Sequence, residues 1–238
     1  MMNRIWILAI LGLLFVGCTV QQIQQTIDGY LGDTPLSAED VASGLKEALV
    51  VGATKGSNNV SKLDGYLKNP SIKIPFPPDV QKVEDRLRSI GLGKEVDKFV
   101  TTLNRGAEEA AKEAKPIFVS AITSMTINDA WNILKGDDKE AATNYLKRTT
   151  SDQLRQKFSP VIKRALDKTN ATKYYSDIIN TYNKIPLVEK VNPSLEGYAT
   201  EKAMDGLFFM IAKEELNIRK DPLARTSDLL KKVFKEQD

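Results

Sequence analysis

The sequence predicts an all-α protein: a single multi-helix domain with one extended Pro-rich loop, preceded by a signal peptide and a polar tether. Three observations carry that reading. Apolar residues recur at i, i+3 and i+4 in one segment after another. Ser or Thr followed three residues later by Asp or Gln stands at the head of several of these segments. No two alternating apolar runs are joined by a hairpin turn, and no fixed-period repeat is present.

Taken in order, Ser37-Ala38-Glu39-Asp40 resembles a capping box, followed by Val41, Leu45, Ala48 and Leu49, with Gly52 or Gly56 as the expected stop. Residues 57–79 read as irregular, because prolines at 70, 75, 77 and 78 exclude a helix across them. Within them Ile72, Ile74 and Phe76 alternate with Lys73 and Pro75, an extended pattern with one apolar face. Two roles fit: a long loop pinned to the core by those three side chains, or a strap over a binding groove.

Val80, Val83, Leu87 and Ile90 mark a helix closed by Gly91. Val96, Phe99, Val100, Leu103, Ala107, Ala110 and Ala114 mark a longer one, expected to end before Pro116, with an apolar continuation from Ile117 to Met125. Thr126 to Asp129 caps a short helix stopped by Gly136. Thr150-Ser151-Asp152-Gln153 reads as another capping box, opening a helix through Leu154, Phe158, Ile162 and Leu166 in which Pro160 is a potential kink. Tyr175, Ile178, Ile179 and Tyr182 form a further face, ended by Pro186. The longest apolar block is Tyr198 to Leu216, and Asp221-Pro222 starts a last element carrying Leu229, Leu230, Val233 and Phe234.

The front of the chain reads as an address. Arg4 precedes an apolar run from Ile5 to Val16, shorter than the roughly 20 residues that span a bilayer but suited to a signal-peptide core. Phe15-Val16-Gly17-Cys18 follows and resembles a bacterial lipobox, with Phe15 where Leu is commonest. The expected organisation is a removed signal peptide over 1–17, a lipidated Cys18 and flexible tether over 18–36, and a helical domain over 37–238. Thr19, rather than Asp, after the cysteine favours the outer membrane, with the domain facing the periplasm. Losing Arg4 with residues 1–17 lowers the net charge from +3 to +2.

Composition narrows the chemistry. The 238 residues include no His and one Cys, which removes Ser-His-Asp and Cys-His machinery, imidazole and thiolate metal cages, and disulfides. With 34 Lys+Arg against 31 Asp+Glu, no nucleic-acid partner is signalled. Gly91-Leu92-Gly93-Lys94 lacks the upstream Gly and following Ser or Thr of a phosphate loop, and Asp137-Asp138 with Glu140 lacks a calcium loop's spacing. No cofactor and no metal site are expected.

Two clusters stand out. The block Ala203 to Ala212 is apolar on every side except for Asp205, so Asp205 is expected to be buried and paired with Lys202, or with Arg105 or Arg148 from another helix. It reads as a structural ion pair or as the polar centre of a ligand pocket. Arg105, Glu108, Glu109, Lys112 and Glu113 read as a solvated face, with Arg105 pairing Glu109 and Glu108 pairing Lys112. Tyr174, Tyr175 and Tyr182 read as half-buried packing.

The strings NPSIKIPFP, LNRGAEEAAKEAKPIF, YLKRTTSDQL, TEKAMDGLFFMIAKEE and RKDPLARTSDLLKKVF, in that order, resemble the bacterial family of domain of unknown function 4197 over about Ser37 to Phe234. The resemblance implies a helical, secreted or lipid-anchored protein of diderm bacteria and transfers no catalytic residue. The expected function is a non-catalytic binding or scaffold module attached to the membrane through its lipid anchor. A possible envelope protein partner, or a hydrophobic ligand carried between the 198–216 helix and its neighbours, goes with it; a carboxylate-based hydrolase is the remaining alternative.

Overall fold

Glycines rather than leucines set how closely two of the central helices meet. Helix α1 (Ala38–Ser61) starts on the Ser37–Asp40 capping box, in which the Ser37 hydroxyl accepts from the Asp40 N–H and Asp40 accepts from the Ser37 N–H. It does not stop at Gly52 or Gly56 but runs through both. A β-carbon at Gly52 would lie 3.2 Å from Ile218 Cδ1, and one at Gly56 would lie 3.1 Å from Ile211 Cγ1. Both isoleucines belong to helix α8 (Leu195–Lys220), so the glycines are the surface on which α8 lies. The computed structural model describes residues 37–184, 186–187, 190, 194–221, 231 and 233.

The other helices are α2 (Gln81–Ser89, entered by a 3₁₀ turn Pro78–Val80), α3 (Gly93–Ala110), α4 (Ala114–Thr123), α5 (Ile127–Lys135), α6 (Ala141–Asp167) and α7 (Ala171–Tyr182). Among the described residues there is no strand, and the fold is all-α. Helices α1, α6 and α8 form the centre, with α3 against α6 and α4 wedged between α1 and α6. The interior is filled by Leu45, Leu103, Phe118, Ile122, Leu146, Leu154, Phe158, Ile162 and Leu166.

Pro116 does not end a helix. A 3₁₀ turn (Ala111–Glu113) joins α3 to α4, and Pro116 falls in the first turn of α4, where a missing N–H costs nothing. The expected capping box at Thr150–Gln153 is also absent, because these residues are inside α6. The hydroxyls of Thr150 and Ser151 donate back to Leu146 O and Lys147 O, four residues earlier. Helix α6 is continuous across Pro160.

The irregular segment is therefore shorter than expected, because α1 covers residues 57–61. It runs from Lys62 to Pro77, opening at Asp64 with φ of 67°. Of the element expected after Asp221-Pro222 only Lys231 and Val233 are described, both helical, with Val233 buried. The segment before Ser37, Cys18 included, and the side chains of Tyr174, Ile178 and Tyr182 lie outside the described residues.

Candidate functional site

The strap comes down on the bundle in an extended conformation and is held from beneath. Ile72, Ile74 and Phe76 are all buried. Asn104 of α3, fully buried, treats Ile74 as a neighbouring strand would. Its side-chain carbonyl accepts from Ile74 N–H at 2.8 Å, while its amide donates to Ile74 O at 2.8 Å and to Val100 O. Tyr66, also fully buried, donates its hydroxyl to Ala203 O at 2.6 Å, and burial drives its phenol far above the usual range. Its ring lies where a β-carbon on Gly206 would be, 2.7 Å from Tyr66 Cε1, so only glycine fits that position of α8.

The buried charge of this region is Glu108, not Asp205. Glu108 is 4 % exposed. Its carboxylate accepts from Tyr66 N–H and Leu67 N–H at 3.1 and 3.2 Å and pairs with Arg105 at 2.5 Å. Arg105 in turn binds Asp64 at 2.6 Å, and Lys68 with Arg105 holds the Asp64 carboxyl below the usual carboxylate range. The expected solvated face is thus half wrong. Glu109 takes Lys112 instead of Arg105, and Glu108 faces inward because two N–H groups of the strap need an acceptor there.

Asp205 is on the surface, with its side chain 58 % exposed and a long contact of 3.6 Å to Lys202. Glu201, Lys202, Asp205, Phe209 and Lys213 form one exposed stripe along α8, so the block is not apolar on every side. Phe209, 48 % exposed, is the residue that misled. Neither Arg105 nor Arg148 pairs with Asp205: Arg148 is exposed and lies over the Tyr145 ring, 5.5 Å from its centroid.

A second buried carboxylate, with no signal in the sequence, is Glu215 of α8. It accepts from the N–H groups of Ala142 and Thr143 and from the Thr143 hydroxyl, at 2.7 to 3.1 Å, and binds Arg219 at 2.8 Å. Helix α6 has no side-chain cap of its own, so α8 supplies one from a distance.

Two cavities flank the strap. One, of about 390 Å³, is a shallow groove on the α8 side, lined by Lys73, Pro75, Tyr198, Lys202, Asp205 and Phe209 among others. The other, also about 390 Å³, is apolar. Its floor is Phe76, Val96, Phe99, Ala171 and Tyr175, and its roof is Val80, Val83 and Leu87 of the α2 segment together with Leu92. Phe76 and Phe99 pack with ring centroids 4.9 Å apart. Glu95, Lys98, Thr102 and Thr169 are the polar residues of this wall. The apolar cavity is thus not beside the 198–216 helix, where a carrier pocket was expected, but between α2, α3 and the start of α7.

The roof is unusual in its burial. No residue of α2 is buried, although Val83 and Leu87 carry an apolar face at helical spacing. Its far end is the Ile90-Gly91-Leu92 turn, where Gly91 has φ of 89°, a conformation that favours glycine, and where Ile90 and Leu92 are exposed. Helix α2 is moored laterally by Arg88, which binds Glu84 and, at 3.0 Å, Asp97 of α3.

No group of three or more Cys, Asp or Glu side chains placed to hold a metal occurs among the described residues, and none of their helices is long and apolar enough to cross a membrane. A multi-helix fold with an apolar cleft under a thinly attached helix defines the class. The family model described as "Protein of unknown function (DUF4197)" matches residues 35–235, and the chain belongs to that family. No curated protein and no solved structure matches it.

Proposed function

We propose that this chain is a non-catalytic binding module of a bacterial envelope that takes a small apolar ligand into the cleft beneath α2. The observation that carries the reading is the cleft itself. Its volume of about 390 Å³ falls within the range of small-molecule sites, and its walls are dominated by aromatic and branched side chains with few polar groups. The partly exposed Val83 and Leu87 give it a roof whose apolar face is completed only by an occupant. A composition with no His, and a single Cys at position 18, supports binding over catalysis. The run from Ile5 to Val16 ahead of Cys18 supports attachment to the outer membrane through a lipidated cysteine.

The test is titration with the neutral apolar fluorophore N-phenyl-1-naphthylamine. Saturable binding of one probe per chain is expected, weakened about tenfold in Leu87→Glu. Absence of saturable binding, or binding indifferent to Leu87→Glu, would remove the reading. Acylation at Cys18 is checked separately by mass spectrometry of the N-terminal peptide from cells, with Cys18→Ser as the control.

A further inference from the structure

We infer that the ligand is an amphiphile with an anionic head, a carboxylate or phosphate ester on an apolar tail, and that Lys98 is the group that receives the head. The inference rests on the apolar-ligand reading of the cleft. Among the lining residues Lys98 is the one cation, and neither it nor Glu95 has an ion pair among the described residues. The neighbouring charges are spent elsewhere: Asp97 is held by Arg88 at 3.0 Å, and Arg88 also holds Glu84.

The two threonine hydroxyls in the wall cannot serve an anion. Thr102 donates its hydrogen to Lys98 O at 3.0 Å and Thr169 donates to Leu166 O at 2.9 Å, so both have only acceptor capacity left. An anionic head therefore finds its one charged donor at Lys98, with the Tyr175 phenol the remaining side-chain hydroxyl of the lining. Glu95 does not cancel it. It stands in the first turn of α3, a helix without a side-chain cap, where the free N–H groups offset a negative charge and add to the positive field at this end of the cleft. The tail then has Phe76, Val96 and Phe99 on one side and Leu87 on the other.

Three probes with the same tail decide it by isothermal titration calorimetry at neutral pH and low salt: decanoate, decanol and decylamine. Decanoate is expected to bind about tenfold more tightly than decanol, the size of one charge-assisted hydrogen bond, with decylamine weakest. Lys98→Ala should erase the preference for decanoate over decanol, and Lys98→Arg should retain it. Lys98 is exposed, so neither variant threatens folding. Equal binding of decanoate and decanol, or a preference that survives Lys98→Ala, overturns the inference and leaves the apolar-ligand reading standing. Tightest binding by decylamine overturns it in favour of Glu95 as the anchor. Failure of all three probes removes both.

Discussion

Helices α8 and α2 carry the same kind of signal, apolar residues at helical spacing, and end in opposite states. In α8 the apolar face is closed off completely, against the glycines of α1 on one side and α6 on the other, and its buried polar groups are all engaged except the Thr200 hydroxyl. In α2 no side chain is buried, and the apolar face lies over an open cleft. The two helices show what apolar patterning does and does not specify. It fixes which face turns inward, but whether that face meets protein or space depends on the length of the neighbours. The nine residues of α2 cover less than the 26 of α8, and α2 leans chiefly on α3. A helix so attached can yield to a ligand at a small cost, whereas α8 cannot move without exposing the core.

The sharpest way to break this contrast is in the central body. Glu215→Ala removes the acceptor of Ala142 N–H and Thr143 N–H and leaves Arg219 without its carboxylate. Loss of about 3 kcal/mol is expected in urea unfolding, in the range for breaking one partner of a buried charged network. A loss under about 1 kcal/mol would mean that water replaces the cap, and that α8 is no more tightly fixed than α2.

The strap lies between the two regimes. Asn104→Ala leaves the N–H and C=O of Ile74 without partners in a buried setting, which costs about 2 kcal/mol. The effect should be local: hydrogen exchange at the Ile74 amide should accelerate more than at amides of α8. Uniform acceleration would show that the strap and the central helices open together.

On the α2 side the expected stability change is smaller still. Leu87→Glu should alter stability by less than about 1 kcal/mol, because Leu87 is already partly in solvent. The same substitution is the one expected to disable probe binding. A large loss of stability would show that α2 is part of the core and would undo the contrast.

The helical class and most element positions are legible in the sequence, because they follow from local spacing and local caps. The boxes at Ser37 and Thr126 are both made as written. The string at Thr150 has the same letters but lies between Leu146 and Leu154, which continue one buried stripe, so tertiary packing keeps the helix going and turns the hydroxyls back onto it. Gly52 and Gly56 illustrate the converse: a residue that ends isolated helices is retained inside one where another helix must come close. The site was less legible. Glu108 and Asp205 are both acids within helical segments, and what separates them is a demand from elsewhere in the chain. Two strap N–H groups, some forty residues away in sequence, require an acceptor at Glu108. Nothing makes that demand at Asp205. The cleft itself is a gap between elements, and no single segment encodes it.

The smallest expected effect concerns the boundary between the strap and α8. Tyr198 is half-buried and donates to Pro75 O at 3.3 Å, and burial, with lesser contributions from Tyr175 and Asp79, pushes its phenol up to about 12. The unfolded chain releases this proton near pH 10, whereas the folded chain retains it. Between those values the unfolded state binds fewer protons, so stability falls as pH rises, and below pH 10 the group makes no difference. Tyr66, more deeply buried and more strongly shifted in the same direction, adds to the same alkaline slope. Tyr198→Phe should therefore flatten the decline in melting temperature between pH 10 and 12 without altering it at pH 7 beyond the loss of one exposed hydrogen bond. The Tyr66 contribution should remain in that variant. If the slope is unchanged, the Tyr198 hydroxyl is solvated in the folded state and the strap is tied to α8 through Tyr66 and Asn69, which would extend the loosely held region from α2 to Pro75.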